Sequence, residues 1–160
     1  MKTKKFYKIL LVEIIAVLAV GAYFFIDSSD IYRWYVGNTD FVKLPKEECD
    51  LHVKECSITL KDGSKITLEI IPKSIPLMKP ITFKAKTEGI ELNSLEVKVY
   101  ATNMNMGFHE FLLKKTAKNL YTGSVTLPTC VVGNMIWDAN IIVNKPTKSI
   151  GAIFEFQTDR

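Results

Sequence analysis

The chain has none of the short motifs that announce common enzymes. It contains no G-x-S-x-G elbow, no phosphate-binding P-loop, no Rossmann glycine pattern and no HExxH. Histidine is scarce, with His52 and His109 only, and no nucleophile–base arrangement is recognisable. The chain is therefore read as non-enzymatic, with no catalytic residues. Cys-x-x-Cys and His-x-His are also missing, which removes the most specific metal-ligand spacings. There is no internal repeat or low-complexity tract, and beyond the first 26 residues no long segment has helical periodicity.

Charge is nearly balanced once its location is considered. The formal +4 counts 21 basic and 17 acidic residues. Setting aside Lys2, Lys4, Lys5, Lys8 and Glu13 leaves 17 against 16. No Arg-rich stripe remains, so nucleic acid is excluded as a partner.

What is present begins with Ile9 to Ile26, ILLVEIIAVLAVGAYFFI, an apolar run broken only by Glu13. A helix needs roughly 20 apolar residues to cross a bilayer, and backbone groups in lipid must pair internally. The run therefore reads as a transmembrane helix over 9–26, preceded by a basic cytoplasmic tail over 1–8. Lysines on the N-terminal side place that end in the cytoplasm by the positive-inside rule. In a bacterial setting this makes an inner-membrane protein with its C-terminal domain in the periplasm. A cleaved signal ending at Val20-Gly21-Ala22 is the alternative. Against it, the run continues through Tyr23, Phe24, Phe25 and Ile26, and Tyr32, Trp34 and Tyr35 follow as an interfacial belt would. Glu13 lies about one turn from the cytoplasmic end, shallow enough to reach the interface.

Three cysteines follow, Cys49, Cys56 and Cys130. An oxidising compartment favours disulfides, and an odd count leaves one thiol over. Cys49 and Cys56 are placed to close a small loop, although pairing of either with Cys130 stays open. Cys130 itself reads equally as a metal ligand, a disulfide partner or a small buried apolar residue. No Lys, Arg or His adjoins it to lower its pKa, which argues against a catalytic thiol.

Residues 27–55 have mixed polarity and read as a periplasmic stalk. From Cys56 the pattern alternates: Ile58 and Leu60, then Asp62-Gly63 as a type I′ hairpin turn, then Ile66, Leu68 and Ile70. Alternation resumes at Ile81, Phe83 and Ala85 and again at Leu95, Val97, Val99 and Ala101. Further strands are expected around Phe111–Lys114, Tyr121–Leu127, Met135–Val143 and Ala152–Phe156. Eight short strands with turn residues between them predict a mainly β domain over 56–160, an immunoglobulin-like antiparallel β-sandwich.

The densest group of unusual side chains is NMNMGFHE, Asn103 to Glu110. On a strand Met104 and Met106 would share one face. Thioether sulfur favours Cu(I) and imidazole also suits copper. Met104, Met106 and His109 are thus candidate ligands for Cu(I), with Cys130 or Met135 as additional donors. Against this stands the ordinary use of Met to fill irregular core space.

These segments have a recognisable order: PLMKPITFKAKTEG at Pro76–Gly89, NMNMG at Asn103–Gly107, YTGSVTLP at Tyr121–Pro128, and the tryptophan strand MIWDANIIV. With one N-terminal helix before them, they resemble the FixH-like and YtkA-like families of membrane-anchored periplasmic domains. The resemblance implies an accessory role in assembling a haem-copper cytochrome oxidase or in copper handling, with Met104 and Met106 as the matching positions. The chain departs from copper chaperones that carry CxxxC. The other reading is a metal-free structural or scaffolding module of a cell-envelope complex.

Overall fold

A computed structural model of the chain describes residues 2–25, 40–129, 133–144 and 149–158. The chain divides into two compact units, Met1–Asn38 and Thr39–Arg160.

The first unit contains helix α1, Lys2–Phe25. Its Leu11, Val12, Ile14, Ile15, Val17 and Val20 side chains are each more than half exposed. The side chains described within it, Tyr7, Lys8, Leu10 to Val17, Val20 and Gly21, form no unbroken run of spanning length. Among the described residues no helix is long and apolar enough to cross a membrane. The span expected over 9–26 thus rests on the sequence.

The second unit is mainly β. Its strands are β1 (Asp40–Leu44), β2 (Cys56–Thr59), β3 (Lys65–Ile71), β4 (Pro80–Glu88), β5 (Ser94–Ala101), β6 (His109–Ala117), β7 (Leu120–Thr126), β8 (Met135–Asn144) and β9 (Ser149–Thr158). They form one nine-stranded sheet in the order β1-β9-β8-β5-β6-β7-β4-β3-β2. The sheet curls until it is nearly a barrel. Two separate sheets were expected, and the difference lies in the β6–β7 hairpin. That hairpin joins the two halves through only three residue pairs, Lys114↔Thr122, Lys115↔Tyr121 and Ala117↔Leu120, with a bulge between Lys115 and Ala117. Bulges bend a sheet and increase its twist, so this seam is where the wall turns. Alternation reports which side chains face inward and is the same for a sandwich and a curled sheet.

Two other expectations change. Residues 40–55 are not stalk: β1 pairs in parallel with β9, Asp40↔Ile150 to Leu44↔Phe154, and Leu51 is 1% exposed. The rest of that segment, 27–39, lies outside the described residues. The Asp62-Gly63 turn is not type I′ either. That turn needs positive φ at both central residues, but only Gly63 has it, at 83°. The loop instead spans Lys61 to Gly63, closed by Leu60 N–H to the Ser64 carbonyl at 2.7 Å. Asp62 Oδ1 accepts from the Ser64 N–H at 3.0 Å and its hydroxyl at 2.6 Å, which favours the wider loop.

The core runs along the inner face. Strands β3 and β5 alternate strictly, with Ile66, Leu68, Ile70, Leu95, Val97 and Val99 fully buried. Phe83 of β4 meets Phe111 edge-on at 5.2 Å and Phe156 of β9 at 6.4 Å, so the halves touch through aromatic rings. Such edge-on pairs add about 0.5–1.5 kcal/mol beyond area burial. The buried Tyr121 hydroxyl donates to the Leu92 carbonyl at 2.9 Å and accepts from its N–H at 3.1 Å. Cys49 and Cys56 form a disulfide with Cα atoms 5.8 Å apart, closing the loop before β2.

Candidate soft-metal site at one end of the sheet

The register brings the end of β5, the start of β6, the start of β8 and the end of β9 to the same end of the sheet, through Val99↔His109, Ala101↔Trp137 and Met135↔Thr158. The loop 102–108 crosses this end. It is fastened to β8 like an extra rung of the ladder: the Thr102 N–H donates to the Ile136 carbonyl at 2.8 Å. The Asn103 amide donates to the Asn134 carbonyl at 2.9 Å, and its oxygen accepts from the Ile136 N–H at 3.2 Å. An asparagine side chain has the same donor and acceptor as a peptide group, which is why it substitutes for backbone here. Gly107, at φ 74°, then lets the chain turn into β6.

Met104 and Met106 lie on this loop rather than on a strand, so period-two geometry is not what aligns them. Both are nevertheless half-buried and packed against the core, with Asn105 exposed between them. His109 opens β6 opposite the core residue Val99, on the inner face of the sheet. Its ring lies 6.1 Å from the Trp137 ring. Its Nε2 is buried and has no hydrogen-bond partner. A buried polar atom left unpaired costs about 1–3 kcal/mol, so this nitrogen is suited to a ligand. Met135 is fully buried nearby in sequence register, and Trp137 is held by its Nε1–H donating to Thr158 Oγ1 at 2.9 Å. Cys130 lies outside the described residues.

Among the described residues no three His, Cys, Asp or Glu side chains gather as a metal-binding group. Among the described residues the soft donors at this end are the thioethers of Met104, Met106 and Met135 and the imidazole of His109. Thioether sulfur and imidazole nitrogen suit Cu(I) and suit hard cations poorly.

A second polar cluster sits on the outer face of β8. Asp138 is 4% exposed. Lys43 Nζ lies 3.1 Å from each of its oxygens, with hydrogen-bond geometry to Oδ2 only, and 2.7 Å from Glu155 Oε2. Tyr100 donates to Asp138 Oδ2 at 3.4 Å. Burial pushes the Asp138 carboxyl above its ordinary value, outweighing the Lys43 ammonium that pulls it down. Burial works to lower Lys43, but its hydrogen bonds to Glu155 and Asp138 outweigh that and hold its ammonium above the ordinary value. This cluster is not visible along the chain, because Lys43 and Asp138 are 95 residues apart. The one local signal was an acid inside the apolar strand MIWDANIIV. Asn103 was likewise missed; its signal was an amide just before the Met pair.

No family model, curated protein or solved structure matches this chain. The resemblance to FixH-like and YtkA-like domains therefore stands on the sequence motifs quoted above.

Proposed function

We propose that this chain is a single-pass inner-membrane protein whose periplasmic β domain presents Cu(I) through Met104, Met106 and His109, as an accessory or assembly factor for a haem-copper oxidase. The observation that carries the metal reading is the buried, unpartnered Nε2 of His109 at the end of the sheet where both methionines pack. The apolar side chains exposed around α1 support the anchor, since a helix apolar on all sides needs lipid or protein to cover it. Bound Cu(I) would be held by the two sulfurs and the imidazole; the Asn103 clip holds the loop that positions them.

Titrating the full-length protein in detergent with Cu(I), against a competing chelator under reducing conditions, tests the site. The expected result is one tight equivalent, weakened at least about a hundredfold when Met104 and Met106 are both changed to Leu, since each of the two lost ligands removes more than about 1.4 kcal/mol. Binding that survives both changes rejects it. The packing of both methionines against the core favours a second reading, a metal-free scaffolding module. Co-purification from native membrane separates the two: a stable envelope complex without copper or oxidase subunits favours the scaffold.

A further inference from the structure

Both ring nitrogens of His52 face backbone carbonyl oxygens. Nδ1 lies 2.7 Å from the Lys73 oxygen and Nε2 lies 2.6 Å from the Gln157 oxygen. A carbonyl oxygen only accepts, whereas a neutral imidazole has one N–H and one bare lone pair. Each neutral tautomer would therefore set a nitrogen lone pair against an oxygen lone pair at hydrogen-bond distance. Only the imidazolium, with a proton on each nitrogen, satisfies both contacts.

We propose that His52 is a proton-dependent latch, tying the Cys49–Cys56 loop to Lys73, two residues beyond β3, and to the end of β9. The latch involves no metal. The two strands it bridges come from opposite halves of the sheet, and Gln157 adjoins Thr158, which holds Trp137 beside His109. The latch thus acts at the same end as the methionine loop. With the proton in place the loop is docked with its own Leu51 buried. Loss of the proton turns one of the two hydrogen bonds into a repulsion and frees the loop.

The charged groups about the ring come from each neighbouring element. On its own loop Asp50 Oδ1 accepts the His52 backbone N–H at 2.9 Å, and Glu55 is bonded to Lys86 of β4 at 2.8 Å. Lys54 is also on this loop, and its side chain is exposed. From the turn after β1, Lys46 donates to Gln157 Oε1 at 3.0 Å. From β3 and the segment after it, Lys73 Nζ stands 3.6 Å from Glu69 Oε1. Asp50, Glu55 and Glu69 favour the cation; Lys46, Lys54, Lys73 and Lys86 oppose it. The two carbonyls face the ring directly.

The full-length protein in detergent, labelled with ¹⁵N, is the sample for the test. Ring-nitrogen NMR reads the protons on His52, and amide exchange reads the loop through Val53 and Lys54, whose N–H groups both bond to the Asp50 carbonyl. At about pH 5.5 both ring nitrogens are expected to carry protons and the loop amides to be protected. At about pH 8.5, after correction for intrinsic exchange, protection is expected to fall at least about tenfold as the ring loses a proton. His52→Gln, whose amide donates from one atom only, is expected to show low protection at both pH values. A bare ring nitrogen at the lower pH, or equal protection at both in the unsubstituted protein, overturns the latch. These readings need no variant, so a His52→Gln chain that fails to fold leaves the decision intact.

Discussion

Gly123 shows how much one missing side chain can decide. A Cβ there would stand 2.7 Å from the Leu112 carbonyl oxygen and 2.9 Å from Leu113 Cδ2, so β6 can cross β7 closely only over glycine. Gly123→Ala is expected to cost about 1–3 kcal/mol, the range of overpacked positions, read as a lower urea midpoint. Asp138 makes a different prediction, in pH. Its folded carboxyl holds a proton more tightly than the ordinary value of 3.8, because it is buried. The native state then binds more protons than the unfolded one above that value, so stability falls as pH rises through the window. Lys43 is also held above its ordinary 10.5, and its contribution is complete below that value and lost as pH climbs past it. Asp138→Asn is expected to remove this fall, so the variant's urea midpoint declines less than the parent's as pH rises past the ordinary 3.8; an unchanged profile would contradict the assignment. Neither residue was readable beforehand, since a glycine or an acid in a strand says nothing of which backbone or lysine will lie across from it.

Among the elements, the eight strands from β2 to β9 were legible because most carry apolar residues at alternate positions and all lie between turn signals; β8, buried on both faces, was legible as an apolar run. Strand β1 was not. Val42 and Leu44 do pack inward while Lys43 points out, but no hairpin turn adjoins this strand, and its partner β9 lies about a hundred positions later. Parallel pairing leaves no hairpin signature for sequence to carry. The methionine loop was legible in composition and misplaced in form: NMNMG was visible, but its attachment to β8 through Asn103 required the fold. The Cys49–Cys56 loop, with a sequence separation of 7, gives a prediction at this scale. Closing so short a loop restrains the unfolded chain by about 2–3 kcal/mol, so changing both cysteines to serine should lower the urea midpoint accordingly. A midpoint insensitive to the change, and to added reductant, would count against that contribution.

For the whole molecule the decisive question is whether α1 stays in lipid. The expected outcome of carbonate washing and osmotic shock is that the protein remains with the membrane pellet and retains Met1 or Lys2 at its N-terminus. Recovery in the shock fluid with a start near Tyr23 would replace the anchored reading by a secreted one. The mainly β class was readable from alternation, but the choice between two packed sheets and one curled sheet was made by three residue pairs near the tip of a hairpin. That curl also brings the outermost strands toward one another, where Lys61 Nζ lies 3.4 Å from Asp40 Oδ1. Open rims are where β proteins recruit further copies and grow into fibrils. A wall that folds its own margins together leaves a neighbouring molecule little template to copy, which protects this chain wherever many copies are crowded onto one surface.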